Sequence, residues 1–131
     1  MKRLAIGIIL LVLVLSGSAQ YSLTFCENVN DDGKALHASN SFMISPNGSA
    51  LKFLVKAEDG FKTDNMDFKI FYINDSGKEE EISKLPQKVQ PNWNYTWKEV
   101  VFFDSGTYRV KVYDSKGTYL TSANISVKQQ Q

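Results

Sequence analysis

The sequence predicts an all-β fold, an antiparallel β-sandwich of about seven strands that follows a short export signal. The best-defined stretch is residues 104–127, where Tyr108, Val110 and Val112 alternate with polar residues before a turn ending in Gly117 and a second β-rich run. This pattern is typical of a β-hairpin, and glycine can take the positive φ that such turns often require. Outside the N-terminus the chain sustains no apolar period of 3.6 residues beyond two turns, so no helix is expected.

The N-terminus has the composition of a signal peptide. Two basic residues are followed by an apolar run to Leu15 and by small residues that offer a cleavage site near Ala19. The apolar run is shorter than the roughly 20 residues that a membrane-spanning helix needs, so cleavage is preferred over an uncleaved anchor. We expect residues 1–19 to be removed and residues 20–131 to form one domain, about the usual size of a small β-sandwich. The mature chain is expected to be secreted or periplasmic, with no stable membrane span.

The charge of the mature chain is close to neutral. Removal of the signal takes away two of the 15 basic residues, which leaves 13 against 14 acidic residues and a net charge of about −1 with neutral His37. Binding to a phosphate backbone needs a concentrated basic face, and no Lys/Arg cluster emerges, so we expect no nucleic-acid partner. At 43% hydrophobic and 12% aromatic residues, the chain can fill a core.

Cys26 is the single cysteine, so no intramolecular disulfide can form. A buried, small apolar role is preferred for it, and an intermolecular disulfide or a reactive thiol remains the alternative. Lipid attachment is disfavoured because Phe25 precedes this cysteine and the apolar N-terminal run ends well upstream.

The strands before the hairpin follow from alternation and from turn residues. Residues 21–26 alternate apolar and polar side chains, which is typical of a strand with one covered face. Residues 68–73 are apolar at nearly every position, which predicts a central strand buried on both sides. The other strands are predicted at residues 42–44, 50–57 and 100–103.

A charged edge strand is expected to run from Glu79 to near Leu85. The acidic residues 79–81 open it, and like charges on an edge discourage pairing with another chain. Pro86 and Pro91 are expected to flank the loop that follows, because proline cannot donate to a strand ladder.

Residues 28–33 place oxygen-bearing side chains at alternate positions before a glycine, like the front half of a calcium loop. The back half is missing, because Ser39 stands where the bidentate Glu of such a loop belongs. An Asn/Asp/Gly turn is therefore preferred, and no metal or other cofactor is expected.

Residues 104–110 read Asp-Ser-Gly-Thr-Tyr-Arg-Val and resemble the tyrosine corner of immunoglobulin-like domains. In that motif a Tyr opens the penultimate strand and its hydroxyl bonds to nearby backbone. The resemblance implies an immunoglobulin-like β-sandwich in which Asp104, Gly106 and Tyr108 form a structural corner. Val110 stands where antibody domains have their second core cysteine, so the resemblance is to the broad sandwich class and not to antibody or receptor domains.

The run from Gln90 to Asp114 is also similar to small, uncharacterised secreted bacterial proteins. That likeness supports export and a β-sandwich. It carries no function, because this fold hosts many activities.

Trp93, Tyr95 and Trp97 are the candidate ligand-binding residues. Spaced two apart, their rings lie on one face if the stretch is extended. An exposed row of this kind can stack on sugar rings or anchor a partner protein. The same rings can fill the core of a small sandwich, and the sequence leaves both interpretations open.

Catalytic chemistry has little support. Cys26 and His37 are the available pair for a thiol mechanism, and neither has a recognisable nucleophile context. One Cys and one His cannot provide the usual four ligands of a structural zinc site. Adjacent acids, such as residues 58–59 and 79–81, are better explained as solvated turns than as a glycosidase pair. We therefore expect no catalytic residues and no enzymatic activity.

The sequence thus favours a non-catalytic binding or structural module outside the cytoplasm, engaged in protein–protein interaction at the cell envelope. The alternative is a carbohydrate-binding module that uses the three aromatic rings. The partner is an unknown protein or polysaccharide.

Overall fold

The computed structural model describes residues 20–130, and the predicted signal peptide lies outside them. The described chain forms ten strands and no helix. In chain order they are β1 (Tyr21–Cys26), β2 (Asn28–Val29), β3 (Ala35–Leu36), β4 (Ser41–Ile44), β5 (Ser49–Ala57), β6 (Asn65–Ile73), β7 (Glu79–Lys88), β8 (Tyr95–Phe102), β9 (Gly106–Asp114) and β10 (Tyr119–Gln129). Among residues 20–130, no helix is long and apolar enough to cross a membrane.

The strands form two layers and a small hairpin. One layer is the three-stranded antiparallel sheet β1-β5-β8, and the other is the five-stranded sheet β4-β10-β9-β6-β7. In the larger sheet β4 pairs parallel with β10, and the other pairs are antiparallel. The two-residue strands β2 and β3 pair with each other, where the chain passes from the first layer to the second. The N-terminal strands therefore contribute one edge to each sheet.

Aromatic rings from both layers fill the space between the sheets. Phe53 of β5 is fully buried, and its ring centroid lies 5.1 Å from Phe25, 6.1 Å from Phe68 and 6.0 Å from Phe102. Phe68 belongs to the five-stranded sheet and the other three belong to the three-stranded sheet, so these contacts join the layers. Burial of large apolar side chains is the main source of stability in a chain whose single cysteine is free.

Three turns share one hydrogen-bonding pattern, seen here in the turn between β6 and β7. The Asn74 side chain accepts hydrogen bonds from the backbone N–H groups of Ser76 and Lys78, and Gly77 N–H donates to the Asn74 carbonyl. Gly77 has a φ of 85°. The turns that begin at Asn30 and Asp114 repeat these bonds. The Asn30 side chain is thereby engaged by backbone donors, as expected for the predicted Asn/Asp/Gly turn.

Two sequence predictions are wrong in detail. Residues 68–73 lie inside the larger sheet, but the outward side chain of Phe71 is only half-buried, because the sandwich has no third layer. Lys111 covers that ring instead, with its Nζ 4.6 Å from the ring centroid. Pro86 does not end β7, which continues to Lys88. Since β7 is an edge strand, proline can stand there with its nitrogen facing away from β6.

The fold is an immunoglobulin-like antiparallel β-sandwich. The hydroxyl of Tyr108, near the start of the penultimate strand, donates to the Asp104 carbonyl at 2.9 Å, which is the contact that defines a tyrosine corner. The last two strands and β6 are neighbours in one sheet, while β5 and β8 belong to the other, as in the two-sheet arrangement of this class.

Candidate functional site

The edges of the two sheets meet on one side of the sandwich. β7 ends the five-stranded sheet and β8 ends the three-stranded sheet. Gln87 Nε2 crosses the gap and donates to Thr96 Oγ1 at 3.0 Å and to the Trp97 carbonyl at 3.1 Å. Lys98 Nζ reaches back to the Pro86 carbonyl at 3.4 Å. Side chains, not backbone ladder bonds, therefore connect the two edges.

This gap contains an open groove, which we call the aromatic groove. Its volume is about 730 Å³, within the range of about 300–1,000 Å³ that is typical of ligand pockets. It is lined by Gln87, Lys88, Trp93, Asn94, Tyr95, Thr96, Trp97, Lys98 and Glu99. All three aromatic residues singled out in the sequence line it.

Trp93 and Trp97 are exposed in the groove, at 42% and 40% of their surface. Trp93 lies in the turn before β8, where its backbone N–H bonds to Gln90 and its carbonyl accepts from Phe61. Trp97 lies on β8, and Lys52 Nζ stands 4.5 Å from the centroid of its ring. Indole rings held in this way on a fixed backbone offer stacking surface at little cost in conformational entropy.

Tyr95 has a different role from its two neighbours. Its ring packs flat against Gly33, so closely that a Cβ added there would lie 2.7 Å from the ring. Its hydroxyl donates to the Asp31 carbonyl at 3.0 Å. Tyr95 therefore holds the turn between β2 and β3 against the start of β8, and it contributes to the wall of the groove while half-buried.

A second hollow, which was not predicted from the sequence, continues along β8. Its volume is about 370 Å³, and it shares Lys98 and Glu99 with the aromatic groove. Its other lining residues are Ile70, Ile82, Ser83, Leu85, Val100, Val101, Phe102, Phe103, Asp104 and Tyr108. Ile82, Val101 and Phe103 are exposed. The run of apolar residues at 100–103 was the available signal, because such a run in an edge strand must expose some of its members.

Cys26 and His37, the two residues considered for a thiol mechanism, differ in their exposure. Cys26 is fully buried, its Sγ lies 3.7 Å from the Lys52 carbonyl, and burial raises the pKa of its thiol, which disfavours the thiolate. His37 is exposed. Within residues 20–130, no group of three or more His, Cys, Asp or Glu side chains is placed to hold a metal ion.

The residues of the tyrosine corner lie beyond the far end of β8. Tyr108 is buried, and burial, followed by the nearby Asp104 carboxylate, raises the pKa of its phenol. Its ring lies 5.2 Å from that of Phe102. Gly106 has a φ of 158° and faces the ring of Tyr72. The corner thus fixes how the chain passes from β8 to β9.

No protein-family model and no curated protein matches this sequence. Solved structures with a similar backbone include an immunoglobulin-like protein from Pseudomonas aeruginosa, at 11% identity and a TM-score of 0.49, covering 84% of this chain and 99% of that one. The CARDB domain of a Pyrococcus furiosus protein in complex with di-metal ions is similar at 12% identity and a TM-score of 0.44, covering 84% and 96%.

A third similar structure is the Pseudomonas fluorescens alkylpurine DNA glycosylase AlkC, bound to DNA containing an abasic site analog. The identity is 14%, the TM-score is 0.41, and the match covers 88% of this chain and 33% of that one. These likenesses concern backbone shape, and the fold described above rests on the strand order and the contacts of this chain.

Proposed function

We propose that this chain is an exported, non-catalytic binding module that holds a partner protein in the aromatic groove. The observation that carries the proposal is the exposure of Trp93 and Trp97 in one groove on a rigid β-framework. Tryptophan is enriched among the residues that dominate binding energy, and exposed indoles in a concave site are typical of such anchors.

The charged residues around the rings are consistent with a protein partner. Lys88, Lys98 and Glu99 lie beside the indoles and provide a polar rim around an apolar centre. The lack of catalytic activity is supported by the chemistry of the candidate pair, since Cys26 is buried with a raised pKa. Export is supported by the composition of residues 1–19.

To test this proposal, the chain is immobilised and the retention of cell-envelope proteins from the source organism on it is measured. Trp97→Ala is expected to weaken retention at least about 30-fold, because a tryptophan hot spot contributes roughly 2 kcal/mol or more. Tyr119→Ala is the matched control, because it removes a similarly exposed aromatic ring from β10 in the other sheet. Equal retention by the unmodified chain and the Trp97→Ala variant would contradict the proposal.

A carbohydrate ligand is the second candidate. The amide of Asn94 and the side-chain oxygen of Gln87 lie beside the two indoles, and such groups bind sugar hydroxyls while rings stack on the sugar faces. Affinity electrophoresis on a panel of neutral and acidic polysaccharides tests it. Retardation that is lost in both Trp93→Ala and Trp97→Ala supports a polysaccharide, and unchanged retardation in these variants counts against it.

A further inference from the structure

The backbone N–H and C=O groups of successive residues in β8 point alternately towards β5 and into the groove. Ala57 N–H donates to the Asn94 carbonyl at 2.9 Å, so residue 94 and every second residue after it face β5. The Trp97 carbonyl instead accepts from Gln87 across the gap. The backbone groups of Tyr95, Trp97, Glu99 and Val101 therefore point away from β5, where the sheet has no further strand.

The two edges that border the gap are protected to different degrees. β7 contains Pro86 and the acidic residues 79–81, and its register with β6 shifts between Ile70 and Phe71. Prolines, charges and bulges are devices that keep edge strands from pairing. β8 has no proline, and Trp97 and Val101 are exposed on it. An eight-residue edge of this kind is a template for another strand.

We propose that the partner binds as an extended peptide with acidic side chains, which adds a strand to the open edge of β8. This inference rests on the proposed function, since it uses the same groove. The added strand lies between β8 and β7, through the aromatic groove and the second hollow. Its backbone displaces the Gln87 amide from the Trp97 carbonyl and pairs with the outward groups of Trp97, Glu99 and Val101. Alternate side chains contact the exposed apolar residues.

Charge determines the chemistry of the peptide. Lys88 and Lys98 line the aromatic groove, and Glu99 is the acidic residue in its lining. Lys52 stands over the ring of Trp97. Carboxylates at the aromatic end of the added strand would pair with these ammonium groups. The second hollow contains Asp104 and Glu99 as well as Lys98, and it is mainly apolar, so apolar residues fit that end.

A peptide explains the open edge better than a polysaccharide or a second copy does. An extended peptide repeats its own backbone N–H and C=O groups at about 6.8 Å, which is the spacing at which outward backbone groups recur along an antiparallel strand. Two copies of β8 paired symmetrically about Glu99 would place two carboxylates opposite each other, and pairing about Lys98 would oppose two ammonium groups. Like charges directly opposite each other are destabilising.

The test begins with selection from a displayed library of random peptides of about twelve residues, which span the eight residues of β8 at about 3.4 Å per residue. Selected peptides are expected to carry acidic residues towards one end. Each is then resynthesised with N-methyl groups on one alternate set of amides or on the other. One set faces β8 in an added strand, so methylation of that set is expected to weaken binding at least tenfold, and methylation of the other set about twofold at most.

Glu99 provides the matched pair of variants. Glu99→Pro removes an outward N–H and places a ring at the edge without removing a bond to β5, while Glu99→Ala keeps the N–H. Glu99→Pro is expected to lose binding at least about tenfold. Glu99→Ala is expected to bind acidic peptides more tightly than the unmodified chain, because it removes a carboxylate that repels them and keeps the backbone N–H. The N-methylated peptides are measured on the unmodified chain, so the proposal stays testable if Glu99→Pro does not fold.

The outcomes separate this inference from the proposed function. Loss of binding in Trp97→Ala together with equal binding to both methylated peptide sets would keep the groove as the site and overturn strand addition. No selected peptide, together with retardation by a polysaccharide, would overturn it in favour of a sugar ligand. A concentration-dependent dimer in light scattering that Glu99→Pro dissociates would assign the edge to a second copy and overturn it as well.

Discussion

The hydroxyl of Tyr108 donates a hydrogen bond to the backbone carbonyl of Asp104, 2.9 Å away. This bond spans four residues and closes the turn between β8 and β9, and the Tyr108 ring packs at the same time against Phe102 in the opposite sheet. One side chain therefore joins a local turn to the contact between the layers.

Tyr108→Phe keeps that ring and removes the hydrogen bond. We expect it to lower the free energy of unfolding by about 1 kcal/mol, because a net intramolecular hydrogen bond is worth roughly 0.5–1.5 kcal/mol. Tyr72→Phe is the control, since its ring lies 5.7 Å from that of Tyr108 and its hydroxyl takes no part in the corner. Denaturant unfolding measures both. Equal effects of the two substitutions would show that the corner bond has no special role.

Gly33 and Gly77 have nearly the same backbone conformation, with φ of 79° and 85°, in turns of the same type. They differ in surroundings, because an added Cβ at Gly33 would meet the Tyr95 ring at 2.7 Å and one at Gly77 would meet nothing within 4 Å. Gly77→Ala is expected to cost about 1 kcal/mol, from the left-handed conformation alone. Gly33→Ala is expected to cost about 1–3 kcal/mol more, because the Tyr95 ring must move.

The same pair of variants tests whether Tyr95 shapes the aromatic groove. Gly33→Ala is expected to weaken ligand retention, whereas Gly77→Ala, in a distant turn, leaves it unchanged. Thermal unfolding and retention are measured on the same samples. If both variants lose equal stability and both retain ligand fully, the contact between Gly33 and Tyr95 does not matter.

Glu79 is expected to make stability depend on pH in the acidic range. Lys111 Nζ lies 3.0 Å from its carboxylate, Arg109 also pairs with it, and these hydrogen bonds lower the pKa of Glu79 below its ordinary value of 4.5. A lowered pKa in the folded state means that the ionised carboxylate stabilises the fold above pH 4.5. That contribution is lost as the pH falls through the folded-state pKa.

Glu79→Gln, compared with the unmodified chain, tests whether stability falls with pH in this direction. The difference in melting temperature between them is expected to be largest near neutral pH and to shrink as the pH falls below 4.5. Glu80→Gln is the control, since Glu80 is exposed on the same strand. A difference that stays constant down to pH 3 would exclude ionisation of Glu79 as its cause.

Local chemistry was sufficient to predict most strands and turns. Alternation placed the hairpin of β9 and β10, and the turn within residues 28–33 was expected from Asn, Asp and Gly, which supply side-chain acceptors and positive φ. The corner was expected from one Tyr at the right spacing. These features depend on residues close in sequence, so the sequence contains the relevant information.

The start of β8 was not predicted, because there a polar side chain is buried and an aromatic side chain is exposed. Thr96 is buried while Trp97 is exposed, since the Thr96 hydroxyl accepts a hydrogen bond from Gln87 and the groove leaves room for the indole. The groove itself depends on β7 lying across from β8, in a different sheet. No local sequence pattern indicates that β7 and β8 lie close together. The aromatic residues could therefore be identified from the sequence, but the groove that they share could not.

Tryptophan fluorescence reports directly on the groove, because Trp93 and Trp97 are the two tryptophans of the chain. Both are about 40% exposed, so we expect red-shifted emission that acrylamide quenches readily. Trp93→Phe and Trp97→Phe separate the two signals, and the ring of Trp97, beside Lys52, is expected to respond when an acidic peptide competes for that ammonium group. Blue emission that resists acrylamide would place both indoles in the core. The groove would then lack its anchors, and both the binding site and the added strand would have to be abandoned.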